Sequence, residues 1–539
     1  MTEKTFRAAD ALARRLYDAG CRHAFGMPGG EVLTLLDALE KVGIRFVLAR
    51  HENAAAFMAE AAWHRTGAPG ILVGTLGPGV LNGINAIANA HQDRVPLIVL
   101  AGCVDADEAE TYTHQVLDQR AVLAPITKAT FTLTPGAAHV QADKAVSIAM
   151  EGRLGPVHID VPISVAATQI PATPPALRAP AAPTALAGDA LDTARTWLKD
   201  AQRPVLIAGV DAMNENAHPA ITYFCERFKI PLITSYKAKG ILPEDHPLAL
   251  GGAGLSPLAD THLLPVIDAA DLVICAGYDP IEMRPGWRDP WDPRTKNVID
   301  ILPEPALHYM HQATLNVIAP IAPTLHAIGE GFAPKDVWAD MTLVTCRAGL
   351  EMAFPKDSVW GPDAVIDVCR TELPRDTLAT ADSGAHRILL SQQWQCYEPR
   401  GLMQSSALCT MGCALPLAIG ASLVEPNRPV ISFSGDAGFL MIAGELATAS
   451  EHKLKTIFVV FVDASLALIE KKQRERQLPN AGVDFGTHDY AAIGRAFGGA
   501  GHTVGSRQEL RAALKEAKSS ETFTVIAAII EKGAYDGRI

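Results

Sequence analysis

Short apolar runs alternate with amphipathic, helix-forming stretches along most of the chain. From residue 5 to about 165 the runs are RFVLA, GILVGTLGPG, PLIVLAG and PVHIDVP. Alternation of this kind predicts a parallel sheet with crossover helices. A second series, from about 189 to 335, offers PVLIAG, PLITSY, LVICAG and NVIDI, and a third offers TLATAD, PVISFSG, TIFVVFVD and FTVIAAII. The Pro/Ala-rich stretch 166–188 reads as a linker between the first two units, and irregular sequence at roughly 333–358 separates the second from the third. The pattern therefore predicts three α/β units, at 1–168, 189–335 and 355–539. The opening MTEKTFRAADALARRLYDAG reads as an amphipathic helix, and no short internal repeat suggests a solenoid.

Composition narrows the class. With 48% hydrophobic and 20% charged residues over 539 positions, the chain has core material for several domains. A formal net charge of −12 gives no basic footprint for nucleic acid and no attraction to anionic membranes. The N-terminal stretch has no apolar region or small-residue cleavage site of a signal peptide, and no segment is apolar for a bilayer's width. Nine scattered cysteines without a CxxC pair suggest reduced thiols in a cytoplasm, neither a disulfide frame nor a zinc site.

Two apolar runs of the third unit each end in a carboxylate, Asp436 and Asp463. In open α/β sheets ligands bind beyond the carboxyl ends of the strands, where both aspartates fall. After Asp436 comes AGFLMIAGELATASEH, a helix former opened by small residues, and a helix N-terminus suits phosphate. Two carboxylates with phosphate oxygens form the hard-oxygen set that magnesium prefers, so one reading is a metal joining the protein to a diphosphate. The plainer reading is a helix cap at Asp436 and a strand end at Asp463.

The run GDA…VDAS resembles the thiamine-diphosphate motif, in which Gly-Asp-Gly is followed by Asn-Asn. Here Ala437 replaces the last Gly, and Val462-Asp463 replaces Asn-Asn. FGMPGGEVLTLLDAL, ARHENAAAFMAEA, GTLGPGVLNGINAIANAHQDRVPLIVLAG, HQVLDQRAVLAPITK, DSGAHRILL and LCTMGCALPLAIGAS extend the likeness in the family's order. Val-Asp in place of Asn-Asn, GYDPIEM and the terminal YDGRI are similar to the FAD-independent, catabolic type of acetolactate synthase. The resemblance implies three doubly wound parallel-sheet domains: pyrimidine-binding, middle and diphosphate-binding.

It also implies roles for particular residues. Asp436, Asp463 and the Ser465 carbonyl would bind Mg²⁺. Gly384, Ala385, His386, Gly435, Ala437 and Gly438 would hold the diphosphate side of the cofactor, with Leu466, Leu468 and Ile469 beside it. Met411 would wedge the cofactor into a bent shape, and the Cys409 carbonyl would accept from its amino group. The catalytic glutamate falls on Glu52, where an Ala-rich helix would bury the carboxyl and favour sharing a proton with the cofactor ring. Gly29 and Gly30 allow backbone close to cofactor and substrate, and Gln115 matches a pocket glutamine. His114 stands where acetolactate synthases carry Phe; beside the reacting carbon it would favour protonation and aldehyde release, or bind a polar acceptor. Read singly, Glu52 is a helix N-terminal carboxylate, Met411 core packing and His386 an exposed loop residue. The cluster EKKQRER, with Lys471 and Lys472, reads as a solvated helix face or as a cationic gate for carboxylates.

The middle unit has no G-x-G-x-x-G fingerprint and gives no support for a dinucleotide. The resemblance allows FAD in some members, but GYDPIEM is similar to the FAD-free branch, so FAD is not expected and that domain reads as structural. The resemblance thus implies a thiamine-diphosphate- and Mg²⁺-dependent enzyme, a homodimer or homotetramer with shared sites. It would decarboxylate a 2-oxo acid such as pyruvate and ligate the product to an acceptor carbonyl. A non-ligating 2-oxo acid decarboxylase, a flavin-dependent oxidase and a nucleotide-binding regulatory protein are the rivals.

Overall fold

The computed structural model describes residues 4–176, 178–179, 181–356 and 359–539. Met1–Glu3 of the expected opening helix, Leu177 and Pro180 of the linker, and Asp357 and Ser358 at the third unit's start lie outside the described residues.

The strands are β1 (Thr5–Arg7), β2 (His23–Gly26), β3 (Arg45–Leu48), β4 (Gly70–Gly74), β5 (Leu97–Cys103), β6 (Ala129–Thr132), β7 (Val157–Pro162) and β8 (Gln169–Pro171). There follow β9 (Pro204–Ala208), β10 (Leu232–Thr234), β11 (Ala249–Gly252), β12 (Leu272–Ala276), β13 (Asn297–Leu302) and β14 (Leu315–Ile318). The last are β15 (Leu378–Ala381), β16 (Leu402–Gln404), β17 (Val430–Gly435), β18 (Ile457–Val462), β19 (Ala500–Val504) and β20 (Thr524–Ile529).

They build three six-stranded parallel sheets, ordered β3-β2-β4-β5-β7-β6, β11-β10-β9-β12-β13-β14 and β16-β15-β17-β18-β20-β19. The first and third share one winding, with the order reversing beside the first strand, between β2 and β4 and between β15 and β17. Such a reversal leaves a crevice at the strands' carboxyl ends, where α/β proteins bind ligands. The chain therefore carries two equivalent crevices, one at each end of its sequence.

Three details differ from the sequence reading. Thr5–Arg7 is a strand, paired antiparallel with β8, so the opening helix starts only at Ala8 and the expected linker begins as ordered structure. The stretch 333–358, expected to be irregular, contains the helix Thr342–Ala353. Its buried Cys346 and Gly349 face the Pro257–Ala269 helix, with the Gly349 Cα against the His262 ring. The long helix expected after Asp436 stops at Ile442 and resumes at Leu446.

The outer domains pack directly on each other through the helices Glu52–Thr66 and Ala414–Val424, whose alanines and leucines merge into one apolar cluster. Gly420 permits this contact, since a Cβ there would lie 2.5 Å from the Met58 carbonyl oxygen. A buried cation joins all three domains: Lys237 of the middle domain meets Asp93 at 2.8 Å and Glu60 at 3.7 Å, and donates to the Gln404 carbonyl. Both acids are buried, and Glu60 is pushed above the usual carboxylate range by that burial. Lys237→Met would strand two buried carboxylates, and removing one partner of a buried pair costs roughly 3–5 kcal/mol. The variant is expected to unfold at a clearly lower urea concentration than the parent; an unchanged midpoint would remove Lys237 as a fastener.

Candidate active site

At the carboxyl ends of β15, β17 and β18 the chain folds back around a cavity of about 390 Å³. It is lined by Gly384, Ala385, His386, Cys409, Met411, Gly435, Asp436, Ala437, Gly438, Asp463, Ser465, Leu466, Leu468 and Ile469. Every residue that the sequence placed on the diphosphate and metal side thus reaches one space.

Apolar β17 and β18 run side by side and bring Asp436 and Asp463 to the same level. Asp436 Oδ2 accepts from the amides of Asp463 (3.2 Å) and Ala464 (2.7 Å), and Oδ1 accepts from Ala437 (2.9 Å). Asp463 Oδ1 accepts from the Ser465 amide at 3.2 Å. Burial raises both carboxyls, and the neighbouring charge of Asp436 helps push Asp463 to about 7. Two acids that resist joint ionisation are a place where a cation is stabilising. Among the described residues no three His, Cys, Asp or Glu side chains group as metal ligands, so any ion here needs backbone and ligand oxygens as well.

The helix Ala385–Gln393 opens behind Gly384, which has no side chain to cap the first amides. His386, 3% exposed, stacks its ring on Phe461 at 5.3 Å and leaves a buried Nε2 without a hydrogen-bond partner. Burial lowers this imidazole to about 3. A phosphate at the turn would favour the imidazolium and give the orphaned nitrogen a partner. The uncapped turn and this nitrogen fit a diphosphate.

Asp382 went unnoticed in the sequence, although TLATAD ends in an aspartate as the other two runs do. Fully buried, it is raised to about 6 and accepts from the amides of Gly412 (3.0 Å) and Cys413 (3.1 Å). Its Oδ2 lies where a Cβ on Gly438 would be, 2.0 Å from that position. Asp382 thus ties the Cys409–Met411 segment to the turn after β17. Cys409 sits at φ +50°, and its Sγ accepts from the Arg387 guanidinium at 2.8 Å. Leu255 and Arg284 reach the cavity from the middle domain, and Lys472 and Tyr535 from the chain's last part. No local signal marks Arg284. Of EKKQRER, Lys471 and Arg474 pair with Glu475 and Glu470, while exposed Lys472 lines the cavity with no acidic partner among the described residues.

The remaining candidates lie elsewhere. Gly29 and Gly30 follow β2, Glu52 follows β3, and His114 and Gln115 follow β5, all outside that cavity. Glu52 begins the Glu52–Thr66 helix, is 4% exposed and accepts from Asn82 Nδ2 at 3.0 Å. The turn Gly77–Gly79 passes beside it: a Cβ on Gly79 would come 3.3 Å from Glu52 Oε1, and one on Gly77 would strike the Gln115 carbonyl oxygen at 2.6 Å. A Cβ on Gly29 would meet Thr75 Oγ1 at 2.5 Å. His114 and Gln115 lie exposed on the loop after β5, Gln115 at φ +62°. Each half of the expected site occupies one of the two equivalent crevices.

Both crevices fall within segments that match known domains. The thiamine pyrophosphate enzyme N-terminal TPP binding domain matches residues 6–122, its central domain 191–328 and its C-terminal TPP binding domain 382–528. The chain belongs to the thiamine pyrophosphate enzyme family. Within it, the chain is 31% identical over 530 residues to the acetolactate synthase of Bacillus subtilis, covering 96% of this chain and 92% of that one. It is 30% identical over 494 residues to the acetolactate synthase isozyme 1 large subunit of Escherichia coli, covering 88% and 84%. It is also 31% identical over 536 residues to a probable 2-ketoarginine decarboxylase, AruI, of Pseudomonas aeruginosa, covering 97% and 94%.

A titration follows from the acid pair. Burial and the charge of Asp436 raise Asp463 to about 7 in the metal-free chain, so a cation bound there would have to displace its proton. Mg²⁺ affinity is expected to fall as pH drops below 7, by up to roughly tenfold per unit. Without metal the sign reverses for stability: ionised Asp463 is costly, so its contribution worsens from the unfolded pKa near ~4 up to about 7. Calorimetric titrations with Mg²⁺ and thiamine diphosphate at pH 6 and 8 check this; equal affinities would contradict it.

Proposed function

We propose that this enzyme decarboxylates a pyruvate-like 2-oxo acid and ligates the remaining fragment to an acceptor carbonyl, as an acetolactate synthase does. The observation that carries the reading is the gathering of the diphosphate-side and metal-side residues around one cavity, combined with near full-length similarity to acetolactate synthases.

Thiamine diphosphate, when bound, supplies the nucleophilic carbon and the electron sink for loss of CO₂. This chain's residues hold and charge it. Asp436, Asp463 and the Ser465 carbonyl would take Mg²⁺, and His386 with the first amides of the Ala385–Gln393 helix would take the diphosphate. Met411, held in place by Asp382 through its neighbours Gly412 and Cys413, would set the cofactor's bend, with the Cys409 carbonyl accepting from its amino group. Leu466, Leu468 and Ile469 close the apolar side. Glu52 holds the proton shared with the aminopyrimidine ring. Arg284 and Lys472 give the cavity positive charge for a substrate carboxylate, and neither has an acidic partner among the described residues. His114 and Gln115 face the acceptor.

Because Glu52 and Asp436 occupy separate crevices of one chain, we infer that each working site joins the N-terminal crevice of one protomer to the C-terminal crevice of another. This gives at least a homodimer with shared sites. No helix among the described residues is long and apolar enough to cross a membrane, and all nine cysteines are free, which supports a reducing cytoplasm. No flavin is invoked.

The second reading is a non-ligating decarboxylase, favoured by the similarity to the Pseudomonas protein and by the exposed His114. Carbon balance separates the two. Incubation with a panel of 2-oxo acids, with and without acceptors, is expected to yield one ligated product for each CO₂ released. One free aldehyde per CO₂ would establish the lyase, and no CO₂ from any donor would reject both.

A further inference from the structure

A cleft of about 670 Å³ lies away from the cofactor cavity. It opens between the β11 side of the middle domain and the helices Thr342–Ala353 and Pro362–Glu372, closed below by the end of the Ala385–Gln393 helix. Its charges are unevenly satisfied. Three of its four acids have cations of their own: Glu244 pairs with Lys239 (2.6 Å), Asp245 with Arg375 (2.8 Å) and Asp367 with Arg507 (2.8 Å). The fourth, Glu351, is exposed and beyond ion-pair distance of Arg347, one turn before it.

Three of its cations have no carboxylate partner among the described residues. Arg370 is 9% exposed; its Nη2 donates to the carbonyls of Leu373 and Pro374, its guanidinium lies over Trp394 and Tyr397, and its Nε has no partner. Arg347 is half-buried, and its Nε is likewise buried without a partner. Burial drags both guanidinia below their ordinary range, with the charge of Arg375 adding to the effect at Arg370. Exposed Lys356 also lines the cleft and has no acidic partner among the described residues. Desolvated cations without counter-ions are costly, and a multiply charged anion in the cleft would offset that cost. Leu250, Leu350 and Phe354 add an apolar wall that inorganic phosphate would leave uncovered.

We propose that this interdomain cleft is a second ligand site, taking a phosphorylated small molecule of nucleotide size through Arg347, Arg370 and Lys356. The site is joined to the cofactor cavity by one helix: Ala385 and His386 line the cavity, while Gln392 and Gln393 line the cleft. Nine helical residues span about 13 Å. A ligand in the cleft therefore bears on the far end of the element that cradles the diphosphate.

The test uses the holoenzyme saturated with thiamine diphosphate and Mg²⁺, so that the cofactor cavity cannot answer for the cleft. Isothermal titration with ADP is expected to show one equivalent bound per chain. Pyrophosphate should bind more weakly, for want of the apolar body, and adenosine not at all. Arg347→Glu should weaken ADP at least tenfold and leave retention of thiamine diphosphate unaltered without ADP. Lys356→Glu, at an exposed position where folding is not at stake, should weaken it in the same direction. No saturable ADP binding, affinity unchanged in the Lys356 variant, or displacement of thiamine diphosphate by ADP would each overturn the assignment.

Discussion

Glu52→Gln is expected to abolish most activity while leaving the fold and the diphosphate crevice intact. The amide keeps the shape and can still meet Asn82, but it cannot share a proton with the cofactor ring. Positioned acid–base groups contribute about 10²- to 10⁴-fold, so kcat is expected to fall within that range. Exchange of the cofactor's C2 proton for deuterium, followed by NMR on the bound cofactor, isolates the step. A wild-type exchange rate would remove Glu52 from the chemistry, whatever happened to turnover.

Asp436→Ala carries the second large effect. Asp436 does two things: it supplies one of the two carboxylates that line the cavity among the described residues, and its oxygens hold the amides of Ala437, Asp463 and Ala464. Losing it removes charge and frees the turn that positions Asp463. Loss of outer-shell partners typically weakens metal sites 10–100-fold, and a direct ligand that also organises its neighbour should cost more than that. Asp463→Asn, which keeps an oxygen ligand and removes the like-charge conflict, should lose less Mg²⁺ affinity than Asp436→Ala and should flatten the dependence on pH below 7. Titration of each variant with Mg²⁺ at fixed thiamine diphosphate reads both effects; equal losses would mean that the two aspartates do not divide the work in this way.

Every interior strand but β2, the short HAFG, was legible because burial on both faces makes such strands nearly continuous apolar runs. The strands missed are mostly edges: β6, β11, β14, β16 and β19 each have one neighbour and a mixed pattern. The helix Thr342–Ala353 escaped notice because it buries only Cys346 and Gly349 and shows Val344 and Met352 to solvent, which blurs its periodicity. In the site, Asp436, Asp463 and Asp382 follow one rule, a carboxylate at the exit of an apolar run, and the rule was applied to two of the three. Arg284 obeys no such rule. It enters the cavity from another domain, on a loop whose backbone is tied to Gly254, and only the packing of whole domains brings it there. The shared winding of the first and third sheets was equally invisible, since strand order leaves no mark on the sequence of either half.

The central claim is that the two crevices, apart within one chain, work together between chains. Mixing Glu52→Gln chains with Asp436→Ala chains under conditions that exchange subunits tests it directly. Each parent should be nearly inactive. A mixed dimer should contain one site with both lesions and one with neither, so activity is predicted to return to about half that of the wild type per mixed dimer. Mixed dimers confirmed by sedimentation that stay at the background of their parents would contradict the claim.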